Sequence, residues 1–275
     1  MLFFPEHLLA GIVLPQIIQS NKNFNMKILK DKVALVTGAG SGIGAAIALA
    51  YHKEGASVVV ADIDEEGGKD IVEKIKKDNG KALFIKTDVS QPDECMKAVN
   101  AAVEKFGDLH IACNNAGIGG EAALIGDLKT DEWDKVIQIN LNGVFYGMHH
   151  QIPAILKSGG GAIINIASVL GKVGFETSSA YVAAKHGVIG LTKNAGLEYG
   201  SQGIRVNAVG PGFIKTPLLE DNLSKEEMEQ IAGLHPIGRM GTSEEVAELV
   251  LWLSSDKASF ATGTYYALDG GYLAR

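Results

Sequence analysis

Thr37-Gly38-Ala39-Gly40-Ser41-Gly42-Ile43-Gly44 follows a short apolar run, Val33–Val36, and leads into a helix-forming stretch, Ala45–His52. Glycine lets the chain turn tightly and lets a phosphate approach the backbone closely. A helix that starts directly after such a turn presents unpaired N–H groups and the positive end of its dipole. Strand, glycine turn and helix in this order predict a pyrophosphate cradle at the carboxyl end of the first strand. The spacing is not G-x-G-x-x-G, because Ile43 stands where the third glycine would fall; it is T-G-x-x-x-G-x-G. The glycines alone are also compatible with a purely structural turn.

Outward from this turn, strand-like and helix-like patterns alternate. Ser57–Ala61, Ala82–Lys86, Leu109–Cys113, Ala162–Ala167, Arg205–Val209 and Tyr265–Leu268 are short runs rich in apolar residues. Such runs suit a parallel sheet buried on both faces. Between them lie the polar helix Glu65–Lys77 and two long helical patterns, Thr130–Leu156 and Ser178–Tyr199. The alternation predicts an α/β, doubly wound, Rossmann-like fold in one domain. Its least regular stretch, about residues 210–241 with Pro211, Pro217 and Pro236, is expected to form the substrate loop. Asp62 closes the second strand about twenty residues past the glycines, where an acid accepts hydrogen bonds from the adenosine ribose. A 2′-phosphate there would meet like charge, with only Ser41, Ile63 and Asp64 beside it, so the expected cofactor is NAD. Asp62 opening a turn is the structural alternative.

Bulk properties narrow the function classes. The 275 residues carry a net charge of −7 with 46% hydrophobic content, which suits one large core and argues against nucleic acid or an anionic membrane as partner. Cys95 and Cys113 form neither a disulfide framework nor a metal signature, and a reduced, cytoplasmic setting is expected. Residues 1–25 read as an N-terminal extension outside the catalytic fold, which is expected over 26–275. The apolar Leu8–Leu14 follows Glu6 and His7 rather than a basic segment, so it does not read as a secretory signal. His149-His150 diverge by about 100° on a helix and have no third ligand at metal-binding spacing, so no metal is expected.

Asn114-Asn115-Ala116-Gly117, Tyr181-x-x-x-Lys185 with Ser168 upstream, Pro211-Gly212 with Thr216, and Leu268-Asp269-Gly270-Gly271 join the glycine pattern. Together they resemble the short-chain dehydrogenase/reductase family from about residue 30 to 275. The resemblance implies about seven parallel strands, a homotetramer, and a small alcohol or ketone substrate. It places the cofactor against Gly38, Ser41, Gly42, Ile43, Gly44, Asp62, Ile63, Asp88, Val89, Asn115, Ala116, Gly117, Tyr181, Lys185, Pro211, Gly212, Ile214 and Thr216. Asp88 and Val89 flank the adenine, Asn115 lines its pocket, and Thr216 meets the carboxamide. Asn140, Ser168, Tyr181 and Lys185 are the implied catalytic residues, with Asn140 holding a water that connects Lys185 to solvent.

Moving a hydride to or from a carbonyl requires a proton donor and acceptor at its oxygen. Tyrosine titrates near about 10, and a neighbouring ammonium favours its phenolate. Tyr181 and Lys185 share one helix face by their i, i+4 spacing. Ser168 is placed to hydrogen-bond the reacting oxygen. The substrate is expected to meet Ser168, Leu170, Tyr181 and Phe213, with Val169, Phe175 and the residues after Gly117, including Glu121, nearby. The expected activity is NAD(H)-dependent interconversion of a secondary alcohol and a ketone. An NADPH-dependent 3-oxoacyl thioester reductase and a non-catalytic dinucleotide-binding regulator are the alternatives.

Overall fold

The computed structural model describes residues 27–220 and 224–274. The expected extension over 1–25 therefore lies outside the described residues. In chain order the elements are β1 (Val33–Thr37), α1 (Gly42–Lys53), β2 (Ser57–Asp62), α2 (Glu65–Lys77), β3 (Ala82–Lys86), α3 (Pro92–Phe106) and β4 (Ile111–Asn114). There follow α4 (Thr130–Ile137), α5 (Gly143–Lys157), β5 (Gly161–Ile166), α6 (Ser179–Tyr199) and β6 (Ile204–Pro211). The last part holds β7 (Ile214–Lys215), α7 (Pro217–Glu220), α8 (Lys225–Gly233), β8 (Gly241–Thr242), α9 (Ser243–Ser254) and β9 (Tyr265–Leu268).

Seven strands form one sheet in the order β3-β2-β1-β4-β5-β6-β9, and every neighbouring pair is parallel. The sheet is covered on both faces, which explains the nearly unbroken apolar runs of its inner strands. On one face Ile47, Tyr51, Ile71 and Ile75 from α1 and α2 pack with Val246, Val250 and Leu253 of α9. On the other, Val99 of α3, Val144 and Ile155 of α5, and Val188 of α6 form a second core layer. Strand order reverses between β1 and β4, so their carboxyl ends open a crevice, the position at which open α/β sheets bind ligands.

The expected continuous helix over Thr130–Leu156 is interrupted. Gln138–Asn142 forms a single π turn between α4 and α5. Asn140, fully buried in that turn, donates from Nδ2 to the Ile118 carbonyl and accepts from the Ile118 N–H at Oδ1, both at 2.8 Å. The widened turn carries the amide out of the helix ladder to clamp the neighbouring loop, a common use of π turns at sites. The irregular stretch from Gly210 to Gly241 also contains order beyond expectation: β7 and β8 pair in parallel through Ile214 with Gly241 and Lys215 with Thr242.

Candidate active site

A cavity of about 610 Å³ opens along the carboxyl ends of the strands. At one end stands the glycine turn. Gly38 has φ +61° and Gly42 φ +52°, the left-handed region where glycine costs least. A Cβ on Gly38 would also lie 2.8 Å from the Ala116 Cα, so the turn presses against the segment just after β4. Thr37 and Asn115 lock these two segments together. Thr37 Oγ1 accepts from the N–H groups of Asn115 (3.1 Å) and Ala116 (3.2 Å). Asn115 Nδ2 donates back to the carbonyls of Thr37 (3.0 Å) and Gly38 (2.9 Å).

Asp62 faces this turn from the end of β2. Its Oδ2 accepts from the Gly40 N–H at 2.7 Å and its Oδ1 from the Asp64 N–H at 2.9 Å. The carboxylate is thus fixed at the cavity wall rather than free to rotate away. Among the described residues, the charged ones on the wall are Asp62, Asp88 and Lys185. Lys69 does not reach the wall; its Nζ is held by Glu65 at 2.6 Å. These features fit a nicotinamide dinucleotide: a glycine cradle that a Cβ would fill, a helix start beyond it, and an acid placed for ribose hydroxyls.

Tyr181 and Lys185 reach the middle of the cavity from one face of α6. Lys185 Nζ sits 5.4 Å from the centre of the Tyr181 ring and donates to the Ile166 carbonyl at 2.8 Å. Burial pushes the Lys185 ammonium down to about 8. Burial also raises the Tyr181 phenol above its ordinary value, and a hydrogen bond with the Ser168 hydroxyl works against that rise. Ser168 Oγ accepts from the Leu170 N–H at 3.1 Å, and its carbonyl accepts from the Tyr265 hydroxyl at 3.1 Å, so the serine is pinned at side chain and main chain. A Cβ added to Gly117 would lie 3.1 Å from Asn140 Oδ1 and 3.6 Å from Lys185 Nζ; bare backbone therefore separates these two groups.

Most of the expected site residues line this one cavity. On the cofactor side they are Gly38, Ser41, Gly42, Ile43, Asp62, Ile63, Asp88, Val89, Asn115, Ala116, Gly117, Pro211, Ile214 and Thr216, with Tyr181 and Lys185. On the substrate side Leu170, Phe175 and Phe213 do so. Four lie behind the wall. A Cβ on Gly44 would drive into the Gly38 carbonyl, so this glycine lets the helix pack under the turn. Gly212 packs against the ring of His235. Ser168 and Asn140 are buried beside Tyr181 and Lys185 rather than on the lining surface. Asn115 has both its amide hydrogens' carbonyl partners in the glycine turn, so its side chain braces that turn.

Two nearby expectations fail. Val169 is buried in the core at 1% exposure, because the short 3-10 turn Val169–Gly171 rotates it inward. Glu121 stands outside the cavity and lies 3.8 Å from Lys129. Conversely, Thr87 and Ile139 line the wall without having been singled out, while Pro217 and Leu219 line it from within the expected substrate loop. Thr87 directly precedes Asp88, and Pro217 follows Thr216, so sequence adjacency was the available signal. Nothing in the sequence pattern marks His235.

Residues 38–273 match the family described as enoyl-(acyl carrier protein) reductase. The chain is 52% identical over 258 residues to the cyclohexanol dehydrogenase of Acinetobacter sp. strain SE19, covering 94% of this chain and 99% of that one. It is 42% identical over 244 residues to the cis-4-hydroxycyclohexanecarboxylate dehydrogenase of Sinomonas cyclohexanicum, covering 89% and 97%. The crystal structure of levodione reductase superposes with a TM-score of 0.86 at 38% identity, covering 90% of this chain and 99% of that one.

Proposed function

Because this chain belongs to the short-chain dehydrogenase/reductase family, we propose that it interconverts a neutral alicyclic secondary alcohol and its ketone using NAD(H). It is an oxidoreductase of CH–OH groups that uses a nicotinamide dinucleotide. When bound, that cofactor supplies the hydride acceptor or donor. The chain's own residues manage the proton. Tyr181 takes the proton of the alcohol during oxidation and returns it to the ketone oxygen during reduction. Lys185 lies beside the phenol and favours its ionised form. Ser168, its oxygen already accepting from Leu170, keeps its hydroxyl proton for the reacting oxygen or the phenol. Asn140 holds the loop at Ile118 against the π turn, which keeps the Gly117 backbone in place between itself and Lys185.

One observation carries the substrate class. The substrate end is walled by Leu170, Phe175, Phe213 and Leu219, and among the described residues that line the cavity the one cation is Lys185, which is committed to Tyr181 and the Ile166 carbonyl. A carboxylate buried there would be left unpaired, at a cost of several kcal/mol. Cyclohexanol is therefore expected to exceed 4-hydroxycyclohexanecarboxylate in kcat/KM by at least about tenfold. Steady-state NADH production on both substrates measures this, and equal or reversed preference contradicts the neutral-substrate assignment.

The proton role sets the pH dependence. Oxidation needs Tyr181 ionised, and burial raises its titration, so oxidation should quicken as the pH rises from neutrality into the alkaline range. Reduction needs the neutral phenol and should hold steady or fall over the same range. An oxidation profile that declines with rising pH would contradict the assignment. The same reading places the enzyme in the cytoplasm as a homotetramer. Phe145 on α5 and Leu197 on α6, 49% and 83% exposed, supply apolar surface for subunit contact.

A further inference from the structure

His235 lies just beyond α8, is 3% exposed, and does not line the cavity. Its two ring nitrogens have partners of opposite kind. Nε2 is 3.2 Å from the Phe213 N–H, which can only donate. Nδ1 is 3.1 Å from the Ile231 carbonyl, which can only accept. The ring is therefore neutral, with its proton on Nδ1. The main chain around it is equally tied: the His235 N–H donates to the Ala232 carbonyl, and its carbonyl accepts from the Gly238 N–H. On the other side a Cβ on Gly212 would come within 2.8 Å of Nε2, so only a glycine lets the ring sit against this turn.

The ring also completes an aromatic cluster. His235, Phe213 and Tyr272 form a closed triangle with centres 5.8 to 5.9 Å apart, and Phe175 packs on Phe213 at 5.8 Å. Phe175 and Phe213 belong to the cavity wall, whereas His235 and Tyr272 stand behind it. Phe175 comes from the loop before α6, Phe213 from the turn after β6, and Tyr272 from the C-terminal segment. One imidazole thus fixes the backbone of the residue that joins these three segments at the substrate end.

We propose that His235 is a positioning residue for substrate selectivity: its bare Nε2 anchors the Phe213 amide and so holds the aromatic wall against which the alcohol's ring packs. It acts through Phe213 and takes no part in proton or hydride transfer. The effect belongs in alcohol affinity, not in the cofactor's.

Two substitutions separate the hydrogen bond from the ring. His235→Phe keeps the aromatic volume but leaves the Phe213 N–H unpaired. His235→Gln brings an amide oxygen to the place of Nε2. Hydrogen exchange at the Phe213 amide, resolved by mass spectrometry on the full chain, should quicken at least about tenfold in the phenylalanine variant and return towards the wild-type rate in the glutamine variant. Should the phenylalanine variant not fold, His235→Asn, too short to reach the amide, takes its place. Equal exchange in wild type and the variant lacking the acceptor overturns the anchor.

Kinetics supply the second arm, which rests on the function proposed above. The phenylalanine variant should raise KM for cyclohexanol about five- to tenfold, with kcat and KM for NAD within about twofold of wild type, and the glutamine variant should restore the lower value. A change in KM for NAD or in kcat with the alcohol's KM unmoved overturns the selectivity role. If wild type oxidised no secondary alcohol, the functional reading would fail, while the exchange measurement, made without substrate, would still decide whether His235 anchors Phe213.

Discussion

Replacing Tyr181 with phenylalanine is expected to lower turnover by about three orders of magnitude or more while leaving NADH affinity nearly unchanged. The substitution removes one oxygen and keeps the ring that packs on α6. Tyr181 is the hydroxyl-bearing side chain that reaches the cavity from the same helix face as Lys185, and the ammonium lies 5.4 Å from its ring centre. Among the described residues on the wall, Lys185 also exchanges a proton near neutrality, but its ammonium is turned to the Ile166 carbonyl and does not replace the phenol. Ser168 is held by Leu170 and Tyr265 but titrates far too high to replace it. The cofactor cradle at Gly38, Gly42 and Asp62 is built by other elements and stays intact. Steady-state rates and NADH fluorescence titration on the same sample separate the two effects. Substantial residual turnover in this variant would remove Tyr181 from the proton step.

The second large effect concerns cofactor choice. Asp62 should give NAD an advantage over NADP of about 30- to 1000-fold in kcat/KM. The carboxylate is held by the N–H groups of Gly40 and Asp64, so it cannot swing clear of an added phosphate without breaking two hydrogen bonds. A 2′-phosphate would lose the ribose hydrogen bond and bring like charge within a few ångströms. Ile63, 62% exposed beside it, offers no cation, and Lys69 is engaged by Glu65. Asp62→Ala should lower efficiency with NAD and narrow the gap. It should also loosen the turn, because Gly40 loses its acceptor, so the loss with NAD is expected to exceed any gain with NADP. Paired kinetics with both cofactors test this, and equal wild-type efficiency would contradict the role given to Asp62.

The strands were legible because a parallel sheet covered on both faces needs apolar residues at nearly every position; Val33–Val36 meets that need without polar interruption, and Ala162–Ile166 is broken only by the buried Asn165. The glycine turn was legible because left-handed turns select glycine, as at Gly38 and Gly42. The π turn was not. Trp133, Val136, Leu141 and Val144 keep a helix-compatible rhythm through it, and its cause is a contact between Asn140 and Ile118, far apart in sequence. Behind-the-wall residues were hidden for a similar reason. Gly44 and Gly212 occupy motif positions, but whether a glycine meets a ligand or the protein's own backbone depends on what packs on it. His235 carried no signal, since its role rests on two backbone partners and three rings drawn from separate segments. Val169 failed because the residue after a strand end points inward or outward according to the local turn, here a 3-10 turn capped by Ser168.

The central claim is that Tyr181, Lys185 and Ser168 oxidise a neutral alicyclic secondary alcohol at the expense of NAD. Incubating the purified chain with NAD and cyclohexanol, while following NADH by absorbance and cyclohexanone by gas chromatography, tests it most directly. The account predicts NADH and cyclohexanone appearing in equal amounts, with little product when NADP replaces NAD. A chain that binds NADH but forms no ketone from cyclohexanol or any other neutral secondary alcohol would contradict it.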